Sequence, residues 1–267
     1  MLLDAFKLTG KTALVTGAGK GIGRAIALSY AELGANVVGI ARNQEELDSL
    51  AEEVRRHGVK ALMIACDITD QQQVDCLPEQ ISAEFAALDI LVNNAGAAGR
   101  GWGSLEKVDR RRFEDTLTIN LTSAYSIIHG CLPLLRKGHD AAIINVSSAL
   151  SWMVDKNFSA YAAAKAGMNQ MTKVMAYELA PEIRVNGIAP GAVDTPSTAF
   201  IKQNEAMHKA TTRWIPLQRM GEPMDIAWAA VYLASSASAF VSGKILEVDG
   251  GMQALPGSAI EANIHQQ

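Results

Sequence analysis

The chain has 267 residues, 49% of them apolar and 19% charged, so it can bury a full core without disulfide or metal staples. Lys plus Arg total 24 against 28 Asp plus Glu; the net charge of −4 argues against a nucleic-acid-binding protein, which would carry a basic excess. Length alone leaves one large domain or two small ones open.

In chain order, short apolar runs alternate with longer stretches of helical periodicity. Thr12–Thr16, Asn36–Ile40, Ala61–Ala65, Ile90–Val92, Ile143–Val146, Arg184–Ile188 and Ile245–Val248 read as strands, mostly rich in Val and Ile as buried parallel strands are. Gly23–Leu33, Asn43–His57, Gln71–Ala86, Arg110–Leu135, Ser159–Leu179 and Met224–Ser235 read as helices. Asn43 is a candidate N-cap with Glu46 as its capping-box partner, and Gly34 and Gly58 stand where helices should stop. Pro196–Pro223 lacks a clear strand pattern and reads as a lid, at about 195–223. The tail from Met252 to Gln267 is weakly patterned and would close an edge or an interface. The alternation predicts α/β architecture: one doubly wound Rossmann-type domain over 1–267, with a seven-stranded parallel sheet and helices on both faces.

Strand Thr12–Thr16 runs into Gly17-Ala18-Gly19-Lys20-Gly21-Ile22-Gly23 and then a helix. Glycines there let backbone N–H groups approach a pyrophosphate, and the helix N-terminus adds its dipole. An acidic residue at the end of the second strand would hold the ribose 2′-hydroxyl of NAD; Ala41-Arg42 stands there instead. A guanidinium forks onto a 2′-phosphate, and Lys20 is a second cation within reach, so NADP(H) is the expected cofactor and NAD the alternative. Asp67-Ile68 after the third strand suits the adenine, though Asp67 would equally suit an N-cap. Asn93-Asn94-Ala95-Gly96 after the fourth suits loops locked beside a cofactor, as it would a plain turn.

Tyr161 and Lys165 stand one helical turn apart on one face. A tyrosine is a poor base near neutrality, and a nearby ammonium would lower its pKa.

These residues together resemble the short-chain dehydrogenase/reductase family. The resemblance runs from Lys11 to Gly251 and rests on an ordered set: Thr16-Gly17…Gly21-Ile22-Gly23, Asp67, Asn93-Asn94-Ala95-Gly96, Asn120, Ser147-Ser148, Tyr161-Lys165, Arg184-Val185-Asn186…Pro190-Gly191…Thr195, and Val248-Asp249-Gly250-Gly251. It implies Tyr161 as general acid/base, with Lys165 tuning its pKa and bonding the nicotinamide ribose. Ser148, 13 residues before Tyr161, is preferred over Ser147 as the residue that holds the substrate oxygen. Asn120 would hold a water joining Lys165 to solvent. Pro190, Gly191 and Thr195 would border the nicotinamide, and Val193 would meet its carboxamide through the backbone. The implied reaction is reversible hydride transfer between nicotinamide and a secondary alcohol or ketone, without a metal. The family also implies a homotetramer, or sometimes a dimer, built on Arg110–Leu135, Ser159–Leu179 and the C-terminal segment.

Trp102, Leu150, Trp152, Met153, Phe158, Phe200, Met207 and Trp214 fall after Asn94, after Ser148 and in the lid. They suit an apolar or amphipathic carbonyl compound such as a steroid, bile acid or hydrophobic ketone, or else they pack the lid or an interface. Arg100 and Lys202 would instead suit an acidic substrate, such as a sugar acid or an acyl-carrier thioester. Rival readings are a catalytically idle dinucleotide-binding sensor and an isomerase or dehydratase on the same fold.

Cys66, Cys76 and Cys131 form no C-x-x-C pair and the five histidines show no zinc spacing, so free thiols in a reducing cytoplasm and no metal site are expected. Met-Leu-Leu-Asp-Ala-Phe-Lys-Leu does not read as a signal peptide, and no apolar run approaches the ~18 residues of a membrane span.

Overall fold

The buried runs Thr12–Thr16 (β1), Asn36–Ala41 (β2), Ala61–Ala65 (β3), Ile90–Asn93 (β4), Ala141–Val146 (β5), Ile183–Pro190 (β6) and Ile245–Val248 (β7) are the strands. In the computed structural model, which describes residues 2–252, they form one parallel sheet in the order β3-β2-β1-β4-β5-β6-β7. Of the tail expected to close an edge, 253–267 lies outside the described residues. Strand order reverses between β1 and β4, which opens a crevice at the carboxyl ends of the strands.

The period-two alternation of the strands divides the core between the two faces of the sheet. Ala13, Val15, Val37, Ile90 and Val92 face Ile26 and Tyr30 of α1 (Gly21–Glu32), Leu50 and Val54 of α2 (Gln44–Arg56) and, further along, Ile226 and Ala230. Leu14, Val38, Leu91, Ile143 and Val185 pack with Val74, Leu77, Ile81, Ile127 and Leu134 on the other side.

Two helical stretches differ from expectation. Gln71–Ala86 is two short helices, α3 (Gln71–Asp75) and α4 (Leu77–Ser82), broken at Cys76. Pro78 in the first turn of α4 has no N–H to continue α3 and disfavours a helical residue before it. Arg110–Leu135 is interrupted: α5 (Arg110–Leu117) passes through a π turn at Thr118–Thr122 into α6 (Ser123–Leu135). The 196–223 segment, which lacked a strand pattern, carries α8 (Ala199–Gln203) and α9 (Glu205–Arg213). The remaining helices, α7 (Ser159–Glu178) and α10 (Pro223–Ala234), lie within a residue of their expected bounds. Gly34 and Gly58 follow α1 and α2 with φ of 91° and 76°, as helix stops require.

Half of the expected capping box forms. Asn43 accepts from the Glu46 backbone N–H, but the Glu46 carboxylate turns to Lys20 Nζ at 3.4 Å.

Candidate active site

The glycine turn between β1 and α1 is held by Thr16 and Asn94. Thr16 Oγ1 accepts from the Asn94 and Ala95 N–H groups, both at 3.0 Å, and Asn94 Nδ2 donates back to the Thr16 carbonyl at 2.9 Å. Gly17 has φ of 66° and lies so close to Asn94 that a Cβ would stand 2.9 Å from its amide nitrogen. A Cβ on Gly23 would collide with the Gly17 carbonyl, so only glycine lets α1 start this near the strand. A Cβ on Gly21 would lie 3.5 Å from Thr195, so the segment after β6 begins beside this turn.

Bare backbone at the N-terminus of a 12-residue helix suits a pyrophosphate. Lys20 precedes that helix and is exposed, as is Arg42 beyond β2. Asp67 lies beyond β3, near enough that the Arg42 charge favours its ionised form. Two hydrogen bonds from Thr69, the backbone one first, hold its carboxyl below the usual carboxylate range. Asp67 is not the N-cap of α3; Asp70 is, accepting from Gln72 and Gln73. Ile68 is half-buried beside it. The residues present fit a dinucleotide along the carboxyl edge of the sheet.

At the middle of that edge, Lys165 is 3% exposed and donates from Nζ to the Val146 carbonyl at 2.8 Å. Burial lowers its pKa to about 8. A Cβ on Gly96 would come within 3.3 Å of that Nζ and 2.6 Å of Asn120 Oδ1, so glycine keeps this approach open. Asn120 is fully buried in the π turn. Its Nδ2 donates to the Ala97 and Thr116 carbonyls at 2.7 and 2.9 Å, and its Oδ1 accepts from the Ala97 N–H at 3.0 Å. Asn120 therefore clamps the loop after β4, with one Oδ1 lone pair left for a water.

Tyr161, half-buried, sits one turn before Lys165, whose Nζ is 5.7 Å from the phenol ring centroid. Burial raises its pKa, and the Ser148 hydroxyl opposes that shift. Ser148, not Ser147, carries that contact: Ser147 turns its hydroxyl to the Lys165 carbonyl at 3.2 Å.

Pro190 ends β6, and Gly191 donates to the Val248 carbonyl at 3.1 Å. Buried Val193 pairs with Gly221, and Thr195 N–H donates to Thr198 Oγ1 at 2.9 Å. Asp194 forms an ion pair with Lys202 of α8. The loops after β4 and β5 are joined by a bond from Gly103 N–H to the Asn157 carbonyl at 2.9 Å. Around them Trp102, Trp152, Phe200 and Met207 are exposed, Met153 is buried, and Phe158 sets its ring edge-on to Tyr161 at 6.2 Å.

Several members escaped sequence reasoning. Asn145 is fully buried and joins Asn93 to Thr172 at 2.9 Å each, behind the site. Thr16 was visible beside the glycines, but its clamp on Asn94 needs the β1–β4 neighbourhood. Asn169 falls on the Tyr161–Lys165 face by helical spacing, a signal that was there to use. Among the described residues, no group of three His, Cys, Asp or Glu side chains is arranged to hold a metal ion.

A family model described as enoyl-(acyl carrier protein) reductase matches residues 17–253. The 3-oxoacyl-[acyl-carrier-protein] reductase of Vibrio harveyi is 39% identical over 246 residues, covering 92% of this chain and 98% of that one. A 7α-hydroxysteroid dehydrogenase, solved with NADH and 7-oxoglycochenodeoxycholic acid, superposes with a TM-score of 0.87 at 34% identity, covering 93% of this chain and 96% of that one. A Pseudomonas aeruginosa RhlG/NADP complex superposes with a TM-score of 0.87 at 34% identity, covering 93% and 98%. The chain belongs to the short-chain dehydrogenase/reductase family and is an NAD(P)-dependent oxidoreductase.

Proposed function

We propose that the chain, acting as one domain, interconverts a secondary alcohol and a ketone of apolar or amphipathic shape, with NADP(H) as its preferred cofactor. The observation that carries this reading is the convergence of Ser148, Tyr161 and Lys165 at the carboxyl edge of the sheet, beside Gly96 and Asn120. The nicotinamide, when bound, supplies or accepts the hydride. In reduction Tyr161 gives its proton to the substrate oxygen as the carbonyl becomes an alcohol; in oxidation it takes that proton back. Ser148 orients the same oxygen and stabilises charge on it. Lys165, charged below about pH 8, favours the phenolate left behind and holds the nicotinamide ribose. Asn120 holds the water that links Lys165 to solvent.

The backbone of Gly17, Gly19, Gly21, Ile22 and Gly23 receives the pyrophosphate, with Asp67 and Ile68 at the adenine. Asn94, Ala95 and Gly96 close the middle of the groove, and Pro190, Gly191, Val193 and Thr195 border the nicotinamide. Arg42, exposed beyond β2, receives the 2′-phosphate, and Lys20 joins it by leaving Glu46. No acidic residue stands at the end of β2, where Ala41-Arg42 lies, which favours NADP over NAD.

The ion pair with Asp194 already engages Lys202, which weakens the case for an acidic substrate at that residue. The exposed aromatic rims of the loops favour an amphipathic one. Exposed side chains recur on α7 at Ala163, Ala166, Gln170, Val174 and Tyr177, one unpaired stripe at helical spacing that supports a homotetramer. The free thiols of Cys66, Cys76 and Cys131 suit the cytoplasm.

The test is a panel of steroid, bile-acid, hydrophobic, sugar-acid and 3-oxoacyl-thioester carbonyls, followed at the nicotinamide absorbance with NADPH and with NADH. Net consumption of NADPH is expected with the amphipathic members, with the NADPH advantage shrinking in Arg42→Ala. Tight NADPH binding with no consumption by any carbonyl would instead point to a sensor.

A further inference from the structure

We propose that Asn169 and Ser151 are positioning residues for the reaction, fixing the turn that carries Ser148 and thereby aiming the Ser148 hydroxyl at Tyr161. The inference rests on the function proposed above and extends it to two residues outside the reacting set.

Tyr161, Lys165 and Asn169 recur every fourth residue along α7 and so share a face. Asn169 Nδ2 donates to Ser151 Oγ at 2.6 Å, and Ser151 Oγ donates to the Ser148 carbonyl at 2.6 Å. Donor arithmetic sets the direction. A hydroxyl has one hydrogen, and Ser151 spends it on Ser148, so its remaining contact must be accepted from an N–H. That requires the amide nitrogen of Asn169, not its oxygen. The Ser148 carbonyl also accepts the Ser151 backbone N–H at 3.0 Å, closing the single 3-10 turn Ala149–Ser151 of which Ser148 is the N-cap.

The Ser148 carbonyl is thus held by both donors of Ser151. The Ser148 Oγ accepts the Leu150 N–H at 3.2 Å, which leaves its own hydrogen free to donate. The hydrogen-bonded line Asn169–Ser151–Ser148 runs from α7, which carries Tyr161, into the loop after β5.

The orphaned end of Asn169 supports a role beyond stability. Its Oδ1 is buried with no hydrogen-bond partner. An unpaired buried oxygen destabilises a fold, and an apolar side chain of similar shape would avoid that penalty. The side chain is useful here for its donor.

The experiment compares Asn169→Ala, Ser151→Ala and the double variant in full-length protein, with the best carbonyl of the panel and its alcohol. Each single variant is expected to bind NADPH like wild type and to lose about 10- to 100-fold in kcat with little change in KM. In alcohol oxidation, which needs Tyr161 deprotonated, the pH of half-maximal rate should move upward as Ser148 support is lost. The double variant should be no worse than Ser151→Ala, because Asn169 acts through Ser151. Wild-type kcat and pH profile in both single variants, or fully additive losses, would overturn the proposal. Tyr161→Phe run alongside separates the two readings: if it stays active the proposed function itself fails, and if it is inactive while the Asn169 and Ser151 variants behave as wild type, only this inference fails.

Discussion

Lys165 carries a charge in a place that resists charge. Burial brings its pKa from the ordinary 10.5 to about 8, a depression worth about 3 kcal/mol against the folded protein. The sign follows from which form is disfavoured. The folded state binds this proton less tightly than the unfolded chain, so the penalty is full below about pH 8 and fades as pH rises toward 10.5. Lys165→Met removes the penalty and orphans the Val146 carbonyl, a loss of about 1 kcal/mol. We predict that this variant loses turnover but melts a few degrees higher than wild type at pH 7, with the advantage shrinking at pH 10. Calorimetry at the two pH values checks it, and a lower Tm at pH 7 would contradict it. At this scale the Tyr161–Lys165 spacing was legible, because helical periodicity is local. The burial that raises the Tyr161 pKa was not, since it arises only when β5 and α7 pack.

Elements place these residues by departing from regularity. The π turn at Thr118–Thr122 turns Asn120 inward to both ends of Ala97, which an unbroken α-helix would not do at the same register. Its hydrophobic pattern barely differs from that of a continuous helix, so the sequence offered no sign of it. The break before α4 is readable in the sequence at Pro78. In the lid, Asp194 at the sheet edge pairs with Lys202 on α8, and Thr198 Oγ1 donates to the Val193 carbonyl at 2.6 Å. The first contact also raises the Lys202 pKa, through its hydrogen bond to Asp194. An α8 of five residues has little stability of its own, so these ties are what hold it to the sheet edge. Lys202→Ala is predicted to speed amide exchange across Ala199–Gln203 and raise substrate KM a few-fold while NADPH affinity is unchanged. Wild-type exchange rates in that segment would show that the pair does not hold the lid.

At the scale of the molecule, the alternation of strand and helix made the sheet legible before any contact was known, because parallel strands need crossover helices. Strand order added the reversal between β1 and β4, which places the glycine turn, Asn94 and Lys165 along one edge. The outer faces were less legible. The stripe ending in Tyr177, which is 89% exposed, emerges only once the buried face of α7 is known. If that stripe is the interface of the homotetramer proposed above, Tyr177→Glu is predicted to lower the sedimenting mass relative to wild type; an unchanged mass would place any interface elsewhere.

In the function proposed above, Tyr161 exchanges the proton while the fold holds the dinucleotide independently of it. Tyr161→Phe, measured for NADPH binding by fluorescence titration and for carbonyl reduction at saturating NADPH, separates these two roles. Wild-type NADPH affinity is expected, with kcat reduced about 10²–10⁴-fold. Reduction at the wild-type rate would show that Tyr161 is not the proton donor.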